Sequence, residues 1–226
     1  MNIGLFGGAF NPIHRCHLTV ARQVREQLRL DSILFVPTGT PPHKAVESLA
    51  PAEHRVAMVR LAIADEPGFD LSDIEVRRAA TSYSIDTVQA LRAELGPSPD
   101  LFFLIGLDAF LDLPTWKEPA ALLQACRFVV IGRPGSDFIR VNGLGLLPKI
   151  EAQRLHALDA GDETQVDIPL SPASALTLLR LPPCPISASA IRDRIRRGLP
   201  CGDWLPASVH SYIMRFRLYM EDSDRA

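Results

Sequence analysis

Two histidines three residues apart, His14 and His17, follow closely on Gly7, Gly8 and the turn-prone Asn11-Pro12 pair in GLFGGAFNPIHRCH, positions 4–17. Imidazoles at that spacing share one face in a first helical turn. A helix start also offers free N–H groups and the positive end of its dipole. Together these make a compact anion site, for which phosphate is the natural guest. The plain alternative is a glycine turn followed by two surface histidines. Gly7 and Gly8 are expected to let the backbone turn tightly and approach a ligand. Other residues able to do chemistry are dispersed along the chain. His43 and Lys44 lie in PPHK (41–44), readable as a phosphate-contacting loop or a solvated tip. Tyr83, Ser84 and Thr87 open an apolar-periodic stretch, where Ser84 reads as an N-cap. Asp108 follows LIG and reads as a cap or a sugar ligand; Trp116 is a core aromatic or a stacking platform; Arg133, between Gly132 and Pro134, is a surface cation or a ligand contact. In ISASAIRDRIRRG (186–198), Arg192, Arg194, Arg196 and Arg197 make a local basic run.

The segments that must position these residues alternate in type. NIGLF, SILFVP, LFFLIG, RFVVIG and ALTLLRLP are short apolar runs that predict strands. HLTVARQVREQLRL, AEHRVAMVRLAIAD, SIDTVQALRAEL, SASAIRDRIRRG and PASVHSYIMRFRLY predict helices, the last with Tyr212, Phe216 and Tyr219 near one face. FDLSDIEV predicts one or two short strands, and the pattern weakens from 136 to 180, where a helix is expected in VNGLGLLPKIEAQRLHAL. Alternating strands and helices predict an α/β domain with a parallel sheet covered on both faces. Ligands in such sheets sit beyond the carboxyl ends of the strands, where the loops named above begin, so those loops are expected to converge on one crevice.

Bulk composition narrows the partners. Over 226 residues, 47% are hydrophobic and 22% charged, and the formal charge of -2 supplies no basic field for nucleic acid. The four cysteines, Cys16, Cys126, Cys184 and Cys201, form no C-x-x-C pair and read as scattered thiols of a reducing compartment. No apolar run reaches the ~20 residues of a membrane helix, and no basic leader precedes the first apolar run. A cytoplasmic protein with no membrane or nucleic-acid partner is expected; oligomeric state is not encoded in these features.

GGAFNPIHRCH (7–17) resembles the G-G-T-F-D-P-x-H-x-G-H signature of the nucleotidyltransferase superfamily, and ISASAIRDRIRRG resembles its I-S-S-T-x-I-R segment. PPHK, HRVAMVRLAI (54–63), SYSIDT (82–87), LIGLDAFLDLPTWKE (104–118) and VVIGRPG (129–135) look like bacterial nicotinate mononucleotide adenylyltransferases. The resemblance implies a Rossmann-like doubly wound sheet in a single domain, 1–226, with a small helical C-terminal part at about 186–220. It implies adenylyl transfer from ATP to nicotinate mononucleotide in NAD biosynthesis, with Mg²⁺ carried mainly by the ATP phosphates rather than by protein ligands. It makes His14, His17, Lys44 and Arg192 the catalytic donors. ATP would meet Gly7, Gly8, Ala9, Phe10, His14, His17, Gly106, Asp108, Ile186, Ser187, Ser189 and Arg192. The mononucleotide would meet Lys44, Tyr83, Ser84, Thr87, Trp116 and Arg133. Ala9, Asn11 and Cys16 depart from the signature, as do Ala188 and Ser189 in the second segment. The alternatives are a nicotinamide or pantetheine-type acceptor, or a nucleotide-binding module without catalysis. No segment suggests a tRNA-charging enzyme.

Overall fold

The strands of the computed structural model, which describes residues 1–40, 49–78, 80–132, 135, 137–172 and 174–220, are β1 (Asn2–Gly8), β2 (Ser32–Pro37), β3 (Phe69–Leu71), β4 (Asp100–Gly106), β5 (Arg127–Gly132), β6 (Gln165–Ser171) and β7 (Ser174–Arg180). They form one sheet in the order β3-β2-β1-β4-β5-β7-β6. The pairs β2–β3, β1–β4, β4–β5 and β5–β7 are parallel, and β6–β7 is antiparallel. The order reverses after β1, as in doubly wound α/β proteins, so the expected Rossmann-like class holds. Packing divides the chain into two compact units.

The first unit comprises Met1–Gly7, Arg29–Asp31 and Tyr83–Pro183. Its central strands are continuous apolar runs because both faces are covered: Leu101, Phe103, Leu104 and Ile105 on β4 and Phe128, Val129, Val130 and Ile131 on β5 are all buried. Around them lie α4 (Ser84–Leu95), α5 (Leu107–Leu111), α6 (Pro119–Ala125) and α7 (Ala152–Ala160). The rings of Phe103, Phe128 and Phe110 lie 5.2 and 5.8 Å apart in sequence along that row. Arg92 of α4 donates twice to the Ala125 carbonyl at the end of α6, at 2.9 and 2.8 Å. The stretch of weak pattern contains the expected helix, α7, which ends at left-handed Gly161. It also contains β6, which the sequence reading missed. QVDIPLS alternates buried and exposed residues, but Pro169 interrupts the strand signal and the pairing is irregular between Pro169 and Ser171.

The second unit comprises Gly8–Leu28, Ser32–Ser82 and Cys184–Ala226. It holds α1 (Arg15–Gln27), α2 (Ala52–Ile63), α3 (Ile74–Arg77), α8 (Ala188–Arg196) and α9 (Ala207–Arg215). The buried stripe of α1 is Cys16, Leu18, Ala21 and Val24. Burying a side chain such as Leu18 contributes about 1.5–3 kcal/mol. FDLSDIEV yields only the three residues of β3 before α3 begins, because the Ser72 N–H bonds the Phe35 carbonyl and Ser72 Oγ accepts from the Ile74 N–H. The terminal helix stops at Arg215, and Arg217 and Tyr219 take left-handed backbone angles. Tyr212 and Phe216 stack at 4.5 Å beside His54, but Tyr219 lies beyond the helix and does not share their face.

Gly39, just after β2, is sterically required: a Cβ there would sit 2.2 Å from the Glu75 carbonyl oxygen and 3.1 Å from Ser82 Oγ. Both neighbours are held, since Ser82 Oγ donates to that same carbonyl. Gly39→Ala is expected to destabilise the protein by about 1–3 kcal/mol, the usual range for overpacking. A urea midpoint equal to that of the parent protein would show that the contact of the segment after β2 with α3 yields without penalty.

Candidate active site

The second unit gathers most of the opening motif with the basic helix. His14 has an extended backbone and is the N-cap of α1, which begins at Arg15, two residues before the expected start, and His17 occupies the third helical position. The three-residue spacing therefore has a structural cause: the pair makes a capping-box arrangement. The His14 N–H donates to His17 Nδ1 at 3.2 Å. With Nδ1 accepting, neutral His17 carries its proton on Nε2 and is a donor there. The two rings lie 3.8 Å apart, and the Phe10 ring meets His17 edge-on at 5.2 Å. His14 is buried and His17 half-buried, so these are not incidental surface histidines.

Gly7 and Gly8 lie within β1, and the turn falls later than expected, at Phe10, whose φ is +44°. Gly8 earns its place by close approach instead: a Cβ would lie 3.2 Å from the Phe10 ring. Phe10 is 2% exposed and packs on Phe35. Its side chain belongs to the core, so the loop can meet a ligand there only through backbone.

A buried polar hub holds this loop. The Arg55 guanidinium, 2% exposed, donates to the carbonyls of Ala9 (2.9 Å), Ala50 (3.0 Å) and Gly39 (3.4 Å). Burial pushes its pKa below the ordinary arginine value. Asn11 Oδ1 accepts from the Ala50 N–H at 3.0 Å and from the Tyr219 hydroxyl at 2.9 Å. Burial pushes the Tyr219 pKa up, so this hydroxyl remains a donor well into alkaline pH. Arg192 of α8 donates to the Asn11 carbonyl at 2.8 Å, across 181 positions of sequence. Tyr219→Phe, which removes only the oxygen, is expected to lower stability by about 1 kcal/mol. Unchanged guanidinium unfolding would show that water replaces the hydroxyl.

α8 begins as the sequence suggested. Ser187 is its N-cap, its Oγ accepting from the Ala190 N–H at 3.2 Å and lying 3.1 Å from Ser189 Oγ. Arg196 and Arg197 pair with Asp193 on a solvated face, but Arg194 lies over the Trp204 ring at 4.9 Å and donates to the Pro200 carbonyl. The expectation of four scattered thiols needs correction. Cys16 and Cys184 are disulfide-bonded, because the fold brings their Cα atoms to 5.7 Å from 168 positions apart. Cys126 and Cys201 are free and buried; burial pushes the Cys126 thiol up to about 12.

In the first unit, Tyr83, Ser84 and Thr87 do open a helix, but Tyr83, not Ser84, is the N-cap. Its extended backbone places Ser84 as the first helical residue, and Thr87 N–H closes the turn on the Tyr83 carbonyl. Likewise Gly106 caps α5, and Asp108 is an exposed second-position residue that complements the helix dipole. Trp116 is half-buried, edge-on to Phe103 at 6.5 Å. Next to it, Lys117 was not singled out from sequence. Its ammonium lies 2.7 Å from Asp86 and 5.1 Å from the Tyr83 ring centre, which ties the Trp116 segment to the start of α4. The hydrogen bond to Asp86 raises its pKa. Lys44 and Arg133 lie outside the described residues.

Comparison with known proteins decides the family. The cytidylyltransferase-like family model matches residues 5–194. A relative from Geotalea daltonii named "Probable nicotinate-nucleotide adenylyltransferase" is 42% identical over 97% of this chain and 98% of its own length. The chain belongs to the cytidylyltransferase-like family, among its nicotinate-nucleotide adenylyltransferases. A like-named relative from Geobacter metallireducens is 39% identical over 98% of this chain and all of its own. The fold agrees with that of Plasmodium falciparum nicotinic acid mononucleotide adenylyltransferase complexed with NaAD, at TM-score 0.70 and 21% identity over 96% of this chain and 97% of that one. The family match takes in both the histidine motif and Arg192, the two segments joined in the second unit.

Proposed function

We infer that this chain transfers the adenylyl group of ATP to nicotinate mononucleotide, giving deamido-NAD and pyrophosphate, a step of NAD biosynthesis. The observation that carries the reading is the Arg192–Asn11 hydrogen bond. It brings the basic α8 to the histidine-bearing turn, so that donors from both ends of the chain serve one polyanion site.

The acceptor phosphate is already largely ionised near neutral pH, since its second pKa is about 6. Its oxygen attacks the α-phosphorus while the bond to the β-phosphate breaks, and pyrophosphate leaves. No residue need remove a proton, so the protein's task is alignment and charge stabilisation. His17 Nε2, His14 and Arg192 supply donors, with Ser187, Ser189 and the backbone of Gly7, Gly8 and Ala9 completing the phosphate contacts. Gly106 and Asp108 take the adenosine; Trp116, Tyr83, Ser84 and Thr87 take the mononucleotide, whose carboxylate suits the N–H groups opening α4. Lys44 and Arg133 belong to this assignment by resemblance. Among the described residues no three His, Cys, Asp or Glu side chains gather as a metal cage. That donor-rich set suits Mg²⁺ held by substrate oxygens and water, where it would neutralise phosphate charge. Among the described residues no helix is long and apolar enough to cross a membrane. The reading as an enzyme of NAD biosynthesis places it in the cytoplasm, and a formal charge of -2 offers nucleic acid no basic field.

Pyrophosphate release with ATP and Mg²⁺ tests the reading. Release should be fast with nicotinate mononucleotide and slow with nicotinamide mononucleotide, and chelation should stop it. Equal rates would remove the carboxylate preference. ATP binding without release would leave a non-catalytic module.

A further inference from the structure

Cys16 stands between His14 and His17 in the first turn of α1 and is 6% exposed. Its disulfide partner, Cys184, is half-buried and lies three residues before Ser187, the cap of α8. The Arg192–Asn11 hydrogen bond therefore joins the histidine turn to α8, and the disulfide joins it covalently to the lead-in of that helix. The covalent link uses the position where the family signature has glycine, so it is a property of this chain rather than of the motif.

We propose that Cys16 and Cys184 form a reversible thiol–disulfide modification site that sets the affinity of the phosphate-binding turn for ATP, with a low-molecular-weight disulfide as oxidant and a dithiol as reductant. The proposal rests on the reading of that turn as an ATP site. Oxidation starts at the more accessible sulfur. The Cys184 thiolate attacks the small disulfide, forming a mixed disulfide and releasing one small thiolate. The Cys16 thiolate then attacks the Cys184 sulfur and expels the second. Two protein thiols are oxidised to one disulfide, the small disulfide is reduced to two thiols, and the two protein protons pass to the leaving thiolates. A dithiol reverses both steps. Cys126 and Cys201 take no part, being buried away from solvent.

The cross-link favours ATP binding. It holds Ser187, Ser189 and Arg192 beside the histidine turn before ATP arrives, so the ligand need not order them. Without it, the Arg192–Asn11 hydrogen bond still joins the two segments, but no covalent bond does.

The test compares the full chain after equilibration with oxidised glutathione or with dithiothreitol. Denatured samples should show two titratable thiols in the first case and four in the second. The KM for ATP should rise about fivefold on reduction, the low end of ordinary coupling between sites. The KM for nicotinate mononucleotide should stay constant. Cys184→Ser should match the reduced protein in both buffers, and Cys16→Ser gives the same comparison if that variant fails to fold. Four free thiols in both buffers would overturn the proposal. So would an equal or lower KM for ATP in the reduced form. Absence of turnover in either form would instead refute the adenylyl-transfer reading; the ATP dissociation constants would then decide the proposal by the same fivefold criterion.

Discussion

Replacing His17 by alanine is expected to lower kcat by about 10²–10³-fold, the usual loss for one preorganised donor at a charge-building centre. The KM for ATP should change only severalfold, because the lost contact matters most when charge develops on the transferring phosphorus. The structure makes the case specific. Nδ1 accepts from the His14 N–H, so the neutral ring carries its proton on Nε2. The Phe10 ring, set edge-on, fixes the imidazole plane. The variant also loses part of the α1 cap, which costs about 0.5–2 kcal/mol. Its melting temperature should therefore be measured beside its rate. A folded variant with the parent kcat would remove His17 from the mechanism.

Arg55→Met is expected to have the largest effect on stability, about 3–5 kcal/mol. Methionine keeps much of the apolar stem but leaves the part-buried carbonyls of Ala9, Ala50 and Gly39 without their shared donor. Each unsatisfied group costs about 1–3 kcal/mol. Against a typical total of about 5–15 kcal/mol, that brings the protein near unfolding at physiological temperature. Arg55→Lys should fall between the two, since one ammonium cannot span three carbonyls in a fixed fork. Urea denaturation of the three proteins checks the order. A methionine variant as stable as the parent would mean that water enters the hub.

The sheet was legible from sequence because its strands are short apolar runs with glycine or proline at their ends, and because helices intervene at regular spacing. β6 was not, since Pro169 and a pairing irregularity break its alternation. The histidine turn and the start of α8 were legible because each works within a few residues. Ser84 and Asp108 were assigned one or two positions away from the true caps, Tyr83 and Gly106, since the capping residue is set by backbone angle rather than by side-chain preference. Arg55, Tyr219 and the Cys16–Cys184 pair act across 46, 208 and 168 positions respectively. No local pattern reports a partner that distant. Lys117 shows the same limit over a shorter span, because its role depends on α4 meeting the segment after Trp116.

β6 is an outermost strand of the sheet, and an outermost strand invites addition of a foreign one. Pro169 removes a donor from its middle, the irregularity at Pro169–Ser171 interrupts the ladder, and exposed Asp167 puts a charge on its outer face. An incoming chain would find neither an unbroken row of partners nor an apolar surface to settle on. The feature that hid this strand from sequence reading is thus what guards the protein against aggregation at high concentration.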